Sequence, residues 1–211
     1  MLYISAITGE EFVPPPLSLR LEPILRFQRY RTVEQVAVPI LEVAREMIAL
    51  AEKLIDPRFV FATRSIERVT PEDLALRGGP SFNGRCFCTH LSRAREAVCF
   101  VMTLGPTLEE RISEMADGDE LLEALFLDSA GWLAIEEAVR AFRSHIAARK
   151  RGETRRLSPR LAPGYLDWPL TEQAQLFSVF DGIPLPVRLS DYSVMTPKKS
   201  LSGLFGVIPR D

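Results

Sequence analysis

Apolar residues Val36, Ile40, Val43, Met47, Leu50 and Leu54 recur at spacings of three and four, which places one continuous stripe on one face of a helix. Thr32 and Gln35 in "TVEQ" match a capping box ahead of that stripe. Pro39 falls inside the pattern and predicts a break or kink there. Upstream, "FVPPPLSLRLEPILRFQRYR" reads as part of an extended arm over residues 1–31, because proline restricts the backbone at its own position and before it. "FVFATRSIERV", residues 59–69, is rich in β-branched and aromatic side chains and predicts a strand. "EAVCFVMTLG", residues 96–105, is a continuous apolar run closed by glycine, the pattern of a buried strand.

Helical periodicity then takes over. "PTLEERISEMA" predicts a short helix, and residues 119–149 predict a long one or two in succession. The basic run "RKRGETRR" suits a helix C-terminus, where cations offset the macrodipole, followed by a solvated loop. After the proline-rich stretch "RLAPGYLDWPLTEQ", residues 160–173, "TEQAQLFSVF" predicts a further short helix. "PVRLSDYSVMTPKKSLSGLFGVIP" predicts two short strands around a lysine-bearing turn. No repeat or linker divides the chain, so the expectation is one α+β domain spanning residues 1–211.

Composition narrows the function classes. With 46% apolar and 26% charged residues the 211-residue chain has ordinary globular values. A formal charge of −2 gives no basic field for nucleic acid. No apolar run reaches the roughly 18–20 residues of a membrane span, and "MLYISAITGEEF" lacks the basic start and apolar stretch of an export signal. The expected location is therefore the cytoplasm, with Cys86, Cys88 and Cys99 as free thiols.

Candidate chemistry is sparse. Cys86, Cys88 and His90 lack the spacing and second ligand pair of a zinc site, so packing cysteines are the favoured reading and no metal is expected. No nucleophile elbow, Walker loop or dinucleotide fingerprint is present. Ser200, Ser202 and Gly203 with Lys198 and Lys199 suit an anion-binding turn less well than a solvated turn before an edge strand. Glu136 and Glu137 sit mid-helix among apolar neighbours, and one of them must point nearer the buried side. Two readings stay open for such a carboxylate: a salt bridge to a nearby arginine, or a ligand-facing role. In "RLAPGYLDWPLTEQ", Arg160 offers a planar five-donor fork suited to a carboxylate. Gly164 permits close backbone approach, Tyr165 and Trp168 offer flat faces, and Pro163 and Pro169 stiffen the stretch. The competing reading is a proline-rich loop folded over the core.

The order "VMTLGPTLEERI", "LDSAGWLAIEEAV", "RLAPGYLDWPLTEQAQLF" and "LSDYSVMTPKKSLSGLFGVIP" resembles the activation domain of cobalamin-dependent methionine synthase, in its free-standing form. The resemblance runs from about Pro15 to the C-terminus. It implies an α+β fold with a twisted antiparallel sheet flanked by helices and a shallow S-adenosylmethionine (SAM) site. It implies a partner that carries cobalamin, and flavodoxin or an equivalent electron donor, for reductive methylation of an oxidised cofactor. By resemblance, Arg160 pairs with the SAM carboxylate, Ala162, Gly164 and Tyr165 line the ligand, and Glu136 faces its positive end, with Glu137 as the fallback. Two departures stand out. The synthase has a cysteine–proline–acidic–histidine–threonine–glutamate stretch where this chain has "LDWPLTEQ", and it continues beyond the final turn into a strand bearing another ligand-side tyrosine, whereas this chain stops at Asp211.

The expected function is that of a stand-alone activation protein that binds SAM and docks on a cobalamin- or corrinoid-dependent methyltransferase, a component of that activity with no catalytic residue of its own. The alternatives are a SAM-independent capping or chaperone module for a corrinoid protein and, third, a metal-dependent enzyme using the cysteines.

Overall fold

The computed structural model describes residues 9–149 and 155–209. Strand β1 (Glu10–Phe12) leads through extended residues 13–20 into helix α1 (Leu21–Phe27), followed by helix α2 (Val38–Leu54). Strands β2 (Arg58–Val69), β3 (Asp73–Leu76) and β4 (Ser81–Asn83) precede helix α3 (Arg85–Leu91) and strand β5 (Glu96–Thr103). Helices α4 (Thr107–Asp117) and α5 (Leu121–Arg149) follow, then β6 (Arg155–Leu157), α6 (Gln173–Ser178), the small pair β7 (Arg188–Leu189) and β8 (Met195–Thr196), and β9 (Ser200–Pro209).

The main sheet has the order β4-β3-β2-β5-β9-β6, with β1 beside β2, and every described pairing is antiparallel. Its three long strands alternate strictly between two cores. Phe59, Phe61, Val98, Phe100, Met102, Leu201 and Phe205 face the layer of α1, α2, α4 and α5. Val60, Ala62, Ala97, Cys99, Val101 and Leu204 face α3, α6 and the loop around Trp168. The period of two in a strand sends neighbouring side chains to opposite faces, and here both faces are covered. The α+β class is therefore as the residue patterns predict, and the antiparallel sheet flanked by helices as the resemblance implies.

Several local expectations change. The arm is extended only as far as residue 20, strand β1 included; Leu21–Phe27 is helical, because Ile24 and Leu25 bury fully against the helix layer. Residues 1–8 of that arm lie outside the described residues. Pro39 neither breaks nor kinks a helix: α2 begins at Val38, so the proline occupies the first turn, where its missing N–H costs nothing. Thr32 makes no side-chain cap; Val33–Gln35 forms a 3-10 turn and the Gln35 side chain accepts from the Arg31 amide at 3.2 Å. Residues 121–149 form one helix without a break. Most of the predicted basic loop, residues 150–154, lies outside the described residues, while Arg155 and Arg156 belong to β6.

The largest difference is at the C-terminal end. "SLSGLFGVIP" is one ten-residue strand, β9, seated between β5 and β6 rather than at an edge. Nothing about it suits a solvated turn: Ser200 donates to Thr103 Oγ1 at 2.9 Å, and Ser202 is buried. The Lys199 side chain is 7% exposed, and its ammonium pairs with Asp128 at 2.7 Å and lies 4.4 Å from the centre of the Trp132 ring. A paired, buried lysine anchors α5 to the sheet and is not available to an anion.

Candidate functional site

Residues 158–173 form a closed loop pinned on two sides. Along β9, Leu161 and Leu204 exchange backbone hydrogen bonds at 3.0 and 2.8 Å, and the Ser158 amide donates to the Gly206 carbonyl at 2.9 Å. Gly203 makes this approach possible, since a Cβ there would lie 2.5 Å from the Leu161 carbonyl oxygen. Within the loop, the Tyr165 amide donates to Ala162, Gly164 to Trp168 and Trp168 back to Tyr165. Gly164 has φ +84°, a conformation that favours glycine. The loop thus holds its own shape before any ligand arrives.

Its second half is locked to α3 and β4. Both oxygens of Asp167 accept backbone amides at the start of α3, Arg85 at 2.8 Å and Cys86 at 2.9 Å. Trp168, which the sequence offered as a ligand-stacking face, is 1% exposed and packs against Phe82 and Phe87 at ring-centre distances of 5.1 and 5.0 Å. A large aromatic flanked by prolines reads as exposed in a loop; here the loop folds inward and the ring becomes core. Its indole N–H donates to buried Glu172 at 3.1 Å, and Glu172 also accepts the Asn83 amide at 2.9 Å and the Asn83 side-chain amide. "LDWPLTEQ", the segment that departs from the synthase pattern, is therefore built as an anchor.

Hydrogen bonding from the Cys86 amide, and then from the Arg85 amide, holds the Asp167 carboxyl below its ordinary 3.8 at about 2. The unfolded chain binds more protons between those values, so this cap contributes fully above about pH 4 and is lost as the pH falls through about 2. Asp167→Asn is expected to lower stability at pH 7 and to flatten its decline between pH 4 and pH 2. Urea unfolding across that range measures it, and parallel wild-type and variant profiles would contradict it.

The first half of the loop faces α5. Arg160 engages Glu136 with both terminal nitrogens, at 3.0 and 3.3 Å, with side chains 24% and 53% exposed. Glu137 is the more buried of the adjacent pair and binds Arg140 at 3.0 Å. Adjacent helical positions about 100° apart explain the split, and Glu136, not Glu137, reaches the loop. The pair rims a shallow cleft of about 340 Å³, lined also by Val139, Arg140, Arg143 and Phe205. Arg143 forms the cleft floor: it donates to the Leu157 carbonyl at 2.9 Å and to the Ser158 carbonyl, and its guanidinium sits 5.3 Å from the centre of the Phe205 ring. Burial pushes its pKa down from the usual arginine value. Sequence reasoning missed Arg143, whose only signal was an arginine about two turns beyond Glu136 and one beyond Val139.

Of the five predicted site residues, Glu136 and Arg160 meet directly. Ala162 is buried beneath the loop with its Cβ 3.5 Å from the Cβ position at Gly203, while Gly164 and Tyr165 lie at the exposed tip. Ala162, Gly164 and Tyr165 are continuous in the chain with Arg160 but do not line this cleft.

Among solved structures, the crystal structure of the MetH reactivation domain bound to AdoHcy is similar over 98% of this chain and 80% of that chain, with a TM-score of 0.64 at 15% sequence identity. The fold is that of the methionine synthase reactivation domain. No family model and no curated protein matches the sequence. At this identity the likeness establishes the reactivation-domain fold, and the residues must carry the chemistry.

Other candidates in the reactivation-domain fold are accounted for by packing. Cys86 and Cys99 belong to the second core, and burial pushes each thiol up to about 12. Among the described residues no group of three or more histidine, cysteine or acidic side chains is placed to hold a metal. His145 stacks on Phe12 at 4.4 Å. No described helix is long and apolar enough to cross a membrane.

Proposed function

We propose that this chain is a stand-alone reactivation protein, one domain acting in the cytoplasm, that binds SAM and docks on a separate cobalamin- or corrinoid-dependent methyltransferase. The observation that carries the reading is the two-pronged Arg160–Glu136 pair at the rim of the cleft, set in a reactivation-domain fold. The amino-acid end of SAM is a zwitterion. Its carboxylate fits the Arg160 fork and its ammonium fits Glu136, so a bound ligand would replace one ion pair with two. Tyr165 presents an exposed ring at the tip of the loop. When bound, SAM would supply the methyl group to a corrinoid held by the partner, with an electron from flavodoxin or an equivalent donor. The protein's own share is binding, orientation and docking; none of its residues is assigned a covalent step.

A second reading has one observation in its favour. Arg160 and Glu136 already satisfy one another, as they would in a capping module for corrinoid proteins that uses no SAM. Calorimetric titration with SAM separates the two. Saturable heat with submillimolar affinity is expected. No heat at millimolar SAM, with the fold intact by circular dichroism, would remove the first reading and leave the second.

A further inference from the structure

A second cleft, which shares no lining residue with the first, opens where the sheet loses a strand. Strand β5 pairs with β2 only from Arg58↔Thr103 to Ser65↔Glu96, yet β2 runs on to Val69. The turn before β5 is pinned across this gap: the Ile66 amide donates to the Arg95 carbonyl at 2.9 Å, and the Arg95 amide to the Val207 carbonyl at 3.2 Å. What remains is a cleft of about 400 Å³ whose polar lining is Ser65, Glu67, Arg68, Arg77, Ser92 and Arg95.

The charges in this cleft are not balanced from within. Arg68 is bound to Asp73. The side chains of Arg77 and Arg95 make no ion pair or hydrogen bond to another described residue, and the one carboxylate in the lining is the exposed Glu67. Since the whole chain carries −2, this concentration is local and not part of a general basic field. Each guanidinium is a flat fork of donors, and the two serine hydroxyls can donate as well. A planar carboxylate saturates one such fork. A tetrahedral phosphoryl group has three terminal oxygens and can engage two forks and a hydroxyl at once. The volume lies within the roughly 300–1,000 Å³ of small-molecule sites.

We infer that the gap beyond the start of β5 is a binding site for the phosphoryl group of a small organic anion, held by Arg77 and Arg95. The inference does not rest on SAM binding at the Arg160 cleft. The test is calorimetric titration of the full chain with inorganic pyrophosphate and, separately, with acetate, whose single carboxylate saturates one fork, at matched ionic strength. Pyrophosphate is expected to bind with a Kd below about 1 mM and at least about tenfold more tightly than acetate, because charge-assisted bonds to two arginines are both made. Arg77→Gln and Arg95→Gln, both exposed and therefore compatible with folding, are each expected to weaken it about tenfold or more. Arg160→Gln is expected to leave it unchanged. No heat at about 10 mM pyrophosphate, equal binding of acetate, or binding insensitive to both glutamine variants would each overturn the assignment.

Discussion

Trp168→Ala is expected to destabilise the protein by about 4 kcal/mol, the usual cost of truncating a buried tryptophan. At roughly 2–4 °C per kcal/mol for a chain of this size, the melting temperature should fall by about 8–16 °C. Two losses combine. The ring leaves a void against Phe82 and Phe87, and buried Glu172 loses the indole N–H that it accepts. Trp168→Phe keeps most of the bulk and loses the hydrogen bond, so it should recover much of the deficit. Thermal and urea unfolding of both variants provides the measurement. A melting temperature within about 2 °C of wild type for Trp168→Ala would mean that the ring is not the anchor described here. The result also bears on the loop's role, because the anchor fixes the segment that ends in the Arg160–Glu136 cleft.

Arg160→Ala is expected to do the reverse, moving binding and sparing stability. Its pair with Glu136 is partly solvated, and such surface pairs contribute about 0–1 kcal/mol, so the unfolding midpoint should scarcely change. Affinity for SAM should fall by about 2 kcal/mol or more, near thirtyfold, because a bidentate charge-assisted contact to the ligand carboxylate is removed. Arg160→Lys keeps the charge without the fork and should lie between wild type and alanine. Titration of the three proteins with SAM checks the order. Equal affinities would mean that the loop arginine has been assigned the wrong role, whatever else binds SAM. With Trp168→Ala, the pair divides the loop into a half that carries stability and a half that carries recognition.

Much of the architecture was legible locally. Residues 59–69 and the continuous apolar run at 96–105 show strand composition, and residues 119–149 read as helix, because long elements hold enough positions for composition and spacing to register. The loop's stiffness was legible as well, since proline restricts the backbone wherever it stands. The short elements β3, β4 and α3 were not. Four-, three- and seven-residue segments hold too few positions for a period to emerge.

By itself, the sequence determined the α+β class, the two long strands β2 and β5 and the long helix, and it put Arg160 in a proline-rich loop and Glu136 on the helix before it. Only the tertiary structure decided what the ambiguous residues do. It turned Glu136 toward Arg160 and Glu137 toward Arg140, buried Trp168 over Phe87, and placed β9 inside the sheet between β5 and β6. The case of β9 shows why. Its Gly203 and Gly206 look like turn residues, yet they stand where the Leu161 carbonyl and the Leu91 side chain approach within 2.5 and 2.3 Å of any added Cβ. A residue's missing side chain is explained by what fills the space, and that neighbour is far away in the chain.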